Sequence, residues 1–192
     1  MNRQEIIKYL TELSDRLSSK GLVGHLYIYD GACMALTLKA KEITNDIDSV
    51  FEPTDIIYAE SLDMSDKYSL RKDWLNNAVI KYVKESKLND ISLYLTLPGL
   101  VVSCASPEFM LAMKCYAARD SDIDDIIILI NSLGLKSSEK VFDLIDKYYD
   151  FSLIPFKTKI ILDEIFRQLD FLSTKSRFNR ISGGGGKSWI LN

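Results

Sequence analysis

The run "ISLYLTLPGLVVSCASPE", Ile91 to Glu108, constrains the fold more than any other stretch of the chain. Two β-prone pieces flank Pro98-Gly99, a dipeptide that marks a turn. Ser106-Pro107-Glu108 then opens a helix, with serine as its cap and proline at the first helical position. A strand pair that passes straight into a helix calls for an α+β arrangement.

Elsewhere the periodicities alternate in the same way. Ile6, Ile7, Leu10, Leu13 and Leu17 fall at helical spacing over Arg3 to Lys20. "GHLYIYD" follows as a short strand, "GACMALTL" as a helix, and "ITNDIDSVFEP" as a second strand closing at Pro53. Asp55 to Asp66 is weakly patterned, a helix or a loop. "KDWLNNAVIKYVKES" is predicted helical, with Asp73 as its N-cap. "DIDDIIILINSLG" starts in an acidic turn and stops at Gly134. Two more amphipathic helices follow, "SSEKVFDLIDKYY" and "PFKTKIILDEIFRQLDFL". The expected organisation is a sheet-containing domain over 1–135, a helical part over 136–172 packed on it, and a flexible tail over 173–192. The tail's "GGGGKS" is no phosphate loop, because Ile181 stands where that pattern needs glycine and no strand precedes it.

Composition narrows the chemistry. A formal net charge of −3 gives no general pull toward nucleic acid or anionic membrane. No apolar run approaches a membrane span, and "MNRQEIIKYL" lacks the apolar core of a leader, so a cytoplasmic location is expected. Cys33, Cys104 and Cys115 sit among apolar neighbours and read as buried free thiols. His25 is the only histidine. It starts a strand and reads as structural, so any chemistry here runs on carboxylates, lysine and arginine.

Asp46 and Asp48 are the carboxylates to weigh. On a strand, residues two apart share a face, with Cα atoms about 7 Å apart. Such a pair can hold Mg²⁺, which binds a few carboxylates and completes its shell with phosphate oxygens. A solvated strand face gives the same pattern. Upstream, "YDGACMAL" supplies a strand end, a glycine turn and a helix start whose N–H groups suit a phosphate. Phosphate cradle followed by metal strand is the layout of nucleotidyl transfer.

At these residues the chain resembles the nucleotidyltransferase-fold superfamily. Within it, the chain looks most like small bacterial proteins related to the abortive-infection toxin nucleotidyltransferases. The resemblance rests on four blocks: Asp30-Gly31-Ala32-Cys33-Met34-Ala35-Leu36, Thr44-Asn45-Asp46-Ile47-Asp48, Trp74-Leu75-Asn76, and Ser106-Pro107-Glu108 through Lys114 to Arg119, Asp122 and Asp125. It implies a nucleotidyltransferase-like mixed β-sheet flanked by helices, with a C-terminal helical region. It further implies transfer of a nucleoside monophosphate from an NTP, with Mg²⁺ or Mn²⁺, to an RNA such as tRNA, a protein or a small molecule. Pairing with an antitoxin protein is implied as well. Asp46 and Asp48 would be catalytic and hold the metal, with Lys114 a third catalytic group. Gly31, Ala32, Thr44, Lys114, Arg119, Asp122 and Asp125 would contact the nucleotide. If one helix ran from Lys114 through Asp125, the two would differ by only ~20° in azimuth and share a face. A surface ion-pair network would look the same.

The chain departs from that pattern twice. Asp30 stands where the family's turn has glycine, and a carboxylate there would repel a triphosphate unless it binds metal or turns away. No acid lies in "GLVVSCAS", where polymerase-type members carry a third carboxylate; Asp90 could serve only if the strand after it were central. Catalytic decay to a nucleotide-binding or protein-interaction role is the alternative. Trp74 and the tyrosines could stack on a base, although core packing accounts for Trp74 as well; Arg71 and Lys72 could touch phosphate, and a solvated turn accounts for them equally.

Overall fold

The computed structural model describes residues 1–38 and 43–182. Helix α1 (Arg3–Ser19) opens the chain behind a capping box in which Asn2 and Glu5 satisfy each other's backbone N–H groups. Its apolar stripe, Ile6, Leu10, Leu13 and Leu17, is fully buried. Each such side chain is worth about 1.5–3 kcal/mol relative to exposure. Strand β1 (Gly24–Ile28), helix α2 (Asp30–Thr37), strand β2 (Ile47–Glu52) and helix α3 (Thr54–Tyr68) follow. Then come the two-residue strand β3 (Leu75–Asn76), helix α4 (Ile80–Glu85), and the hairpin β4 (Ile91–Leu97) and β5 (Leu100–Ala105). Helices α5 (Pro107–Ala117), α6 (Ile123–Ser132), α7 (Ser138–Tyr148) and α8 (Phe156–Ser182) complete the order.

The five strands form one mixed sheet in the order β3-β2-β1-β5-β4. β1 is parallel to β5 and antiparallel to β2, and β3 joins β2 in parallel. The hairpin turn needs Gly99: a Cβ there would meet Ser14 O at 2.2 Å and Ser18 N at 2.6 Å, both backbone atoms of α1. The class is therefore α+β, a mixed sheet flanked by helices with further helices at the C-terminal end. Among the described residues no helix is long and apolar enough to cross a membrane.

The sequence expectation fails at three places. Residues 73–79 are not helical, although their propensity allows it. Ile47 N donates to Trp74 O at 2.7 Å, Leu75 pairs with Ile47, and the buried Trp74 indole donates to Ser61 O at 2.9 Å. These tertiary bonds hold the segment extended, so Trp74 is core as expected but Asp73 caps nothing. β2 begins at Ile47, which leaves Thr44 and Asp46 in the approach to the strand. The break between α5 and α6 stands where two separate helices were expected: Ala118 takes a left-handed conformation (φ +48°) and a short 3-10 turn, Asp120–Asp122, follows. Finally, α8 continues past 172, where the tail was expected to start; the "GGGGKS" motif lies outside the described residues.

Candidate functional site

Strand direction brings the site together. Because β2 runs against β1, its start lies beside the end of β1, with Ile28 opposite Ser49. Tyr29 N donates to Asp48 O at 2.9 Å, which fixes Asp48 next to Asp30. β5 runs with β1, so α5 departs from the same edge of the sheet.

Asp30 is the first residue of α2 and has φ +56°. Aspartate is one of the few residue types that tolerate this left-handed region, which explains how it can replace a turn glycine. Its carboxylate does not face outward as an obstacle. It accepts from Lys114, whose side chain is only 1 % exposed. The same ammonium lies 3.0 Å from Asp122 Oδ1 and 2.9 Å from Asp125 Oδ2. Burial by itself would depress the lysine, but the three carboxylates outweigh it and hold its pKa above the ordinary range.

The grouping of Lys114 with Asp122 and Asp125 therefore holds, but for a different reason than a continuous helix face. The left-handed turn at Ala118 folds the acidic start of α6 back onto α5. Oxygens of Asp30, Asp122 and Asp125 lie within 4.8 Å of one another, a spacing that would suit a cation. Lys114 supplies that cation from within the chain.

Beside this cluster lies a cleft of about 280 Å³. It is lined by Gly31, Thr44, Asp46, Asp48, Arg119, Asp122 and Asp125, seven of the nine residues expected at the site, together with Asp30 and Arg71. Lys114 opens onto an adjoining slot instead. Ala32 is buried in α2 and lines neither. Thr44 Oγ1 donates to Asp46 O at 3.0 Å and shapes the approach to β2. Asp46 and Asp48 thus share the cleft although only Asp48 is in the strand.

Electrostatics mark Asp48. Burial, then the negative charges of Asp30 and Asp46, push its carboxyl up to about 6; Asn76 and Arg119 offset part of this. The cleft brings together five aspartates (Asp30, Asp46, Asp48, Asp122, Asp125) against Arg71 and Arg119 at its rim and Lys114 beneath. Such an excess of hard oxygen donors is a donor set that a divalent cation could use.

Arg119 is exposed; its Nη2 donates to Tyr82 OH at 3.1 Å, and its guanidinium carbon stands 5.4 Å from that ring's centroid. Arg71 forms a two-point pair with Asp73 at 2.9 and 2.7 Å while lining the cleft, so it is more than a solvated turn residue. Lys72 pairs with Asp66. Asp90 precedes the edge strand β4, where it accepts from Ser106 Oγ at 2.8 Å and Tyr148 OH at 3.0 Å, and it is not the missing third acid. The three cysteines are free and buried, and burial pushes the Cys115 thiol up to about 12.

Sequence marks Tyr82 only as one of several tyrosines that could stack on a base, with nothing to place it beside Arg119. The pairing of Asp30 with Lys114 had a signal, since a carboxylate in a glycine's place needs a buried cation or water. No family model, curated protein or solved structure matches the chain.

Proposed function

We propose that the cleft binds an NTP with a divalent cation on a nucleotidyltransferase-like fold and transfers its nucleoside monophosphate to an acceptor hydroxyl. The observation that carries this reading is the convergence of Asp46, Asp48 and the start of α2 on one cleft that also holds Arg119. Asp46 and Asp48 would hold Mg²⁺ or Mn²⁺, which, when bound, offsets the triphosphate's charge. Gly31, in the first turn of α2, offers the positive end of the helix to phosphate oxygens. Arg119 and Arg71 reach the cleft as further phosphate partners. Lys114 keeps three neighbouring carboxylates compensated, so that Asp30 does not repel the nucleotide. In the transfer, the acceptor oxygen forms a bond to the α-phosphorus, the bond to pyrophosphate breaks, and the hydroxyl proton leaves to solvent or a base.

One observation favours a second reading, nucleotide binding without turnover. Asp30, Asp122 and Asp125 are all engaged by Lys114, and Asp90 by Ser106 and Tyr148. No acid from β4 or β5 lines the cleft to activate a hydroxyl. Incubation with radiolabelled NTPs, Mg²⁺ and a tRNA pool, beside an Asp46→Ala/Asp48→Ala variant, separates the two. Label transfer that the variant loses supports catalysis. Mg²⁺-dependent NTP binding without transfer supports the second reading, and absence of any such binding removes both.

A further inference from the structure

A second feature adjoins the acidic cleft. Ala78 and Val79, just before α4, and Tyr82 within it face Met113 and Ala117 of α5 across a narrow slot. Asp30, Asp48, Arg119 and Asp122 line both the slot and the cleft, so the two are continuous. One end of this joint space is charged and the other is apolar with an aromatic wall. A nucleotide has the same polarity, a polyanion at one end and a flat ring with apolar faces at the other. The Tyr82 ring is held in place, with Tyr116 edge-on at 6.3 Å. Its surroundings are cationic: Arg119 stands 5.4 Å and Lys81 Nζ 4.5 Å from the centroid.

We infer that this slot is the nucleobase subsite, with Tyr82 as the stacking platform and Arg119 as a movable cover. The inference rests on the reading of the cleft as an NTP site and adds where the base goes. The slot encloses about 40 Å³ in this structure, room for a few waters but not for a base. Access therefore requires Arg119 to swing off Tyr82. Its side chain is exposed, and what it gives up is one hydrogen bond to a phenol and a solvent-weakened cation–π contact. A base stacked on the tyrosine replaces them with a larger contact. The released guanidinium then meets the phosphates in the adjoining cleft, so base binding and phosphate binding reinforce each other.

Calorimetric titration with two probes tests this: Mg²⁺–tripolyphosphate, which lacks a base, and the Mg²⁺ complexes of non-hydrolysable triphosphates of the four nucleosides. The wild type is expected to bind at least one nucleotide roughly tenfold more tightly than tripolyphosphate. Tyr82→Ala is expected to erase that preference while tripolyphosphate binding is kept or tightened, because Arg119 is already released, which also certifies the fold; Tyr82→Phe, which keeps the ring, should retain the preference. An unchanged preference in Tyr82→Ala overturns the inference and leaves the NTP reading standing. A wild type that binds tripolyphosphate and nucleotides equally does the same. If neither probe binds in the wild type, the reading of the cleft falls, and the subsite with it.

Discussion

Lys114 on α5 is ion-paired to Asp30, 84 residues earlier in the chain, at the first residue of α2. The contact ties the helix after β5 to the helix after β1. Removing the ammonium leaves three carboxylates crowded together. Lys114→Met should therefore destabilise the fold by about 3–5 kcal/mol in urea unfolding at pH 7.5. Adding Asp122→Asn should recover part of the loss, because it removes one of the three crowded charges. A Lys114→Met variant as stable as the wild type at pH 7.5 would show that the cluster contributes nothing.

Asp48 gives the opposite sign. Its pKa is raised in the folded chain, to about 6 from 3.8, so the folded state holds the proton more tightly than the unfolded one. The stabilisation is complete below the unfolded value and is lost as pH rises through about 6. Asp48→Asn should then raise the melting temperature at pH 7.5 by ~4 °C, with no gain at pH 4. Added Mg²⁺ should raise the melting temperature of the wild type and not that of the variant. Identical melting curves across this pH range would refute the account.

Glu60, only 6 % exposed, pairs with Lys20 and with Arg16 Nη1 at 3.0 Å. The hydrogen bond from Lys20, then that from Arg16, holds its carboxyl below the usual range against the effect of burial. This stabilisation is present above the unfolded value of about 4.5 and disappears as pH falls through the depressed one. Glu60→Gln should cost about 1–3 kcal/mol at pH 7 and much less near pH 3, read from chemical denaturation at the two pH values.

Gly99 is a packing test of the hairpin. Gly99→Ala would drive a methyl into the α1 backbone and should cost about 3 kcal/mol by thermal or urea unfolding. A variant that keeps wild-type stability would mean that α1 can move off the turn without penalty.

Much of this was legible in the chain. The apolar stripe of α1, the Pro98-Gly99 hairpin and the Ser106 cap each follow from local periodicity and turn chemistry, and each stands where expected. Asp46, Asp48 and Gly31 stand out in the sequence, and they line one cleft because strand order brings the start of β2 to the end of β1. What resisted was decided at long range. Residues 73–79 have helical propensity, but Trp74 anchors them to α3 and β2 by bonds no local pattern displays. The cluster around Lys114 was anticipated, but the condition of one helix running through Lys114 and Asp125 is not met. A single left-handed alanine achieves the same juxtaposition, and alanine carries no signal for that conformation.

The alternation along β2 has a consequence for how such a site can drift over generations. Ile47, Ser49 and Phe51 point into the core while Asp48 faces the cleft. A shift of one residue in the pairing with β1 would bury Asp48 and expose Ile47 and Phe51. Selection for stability alone therefore preserves the alignment of Asp48. A lineage that kept folding would keep presenting position 48 to the cleft, whichever residue stood there.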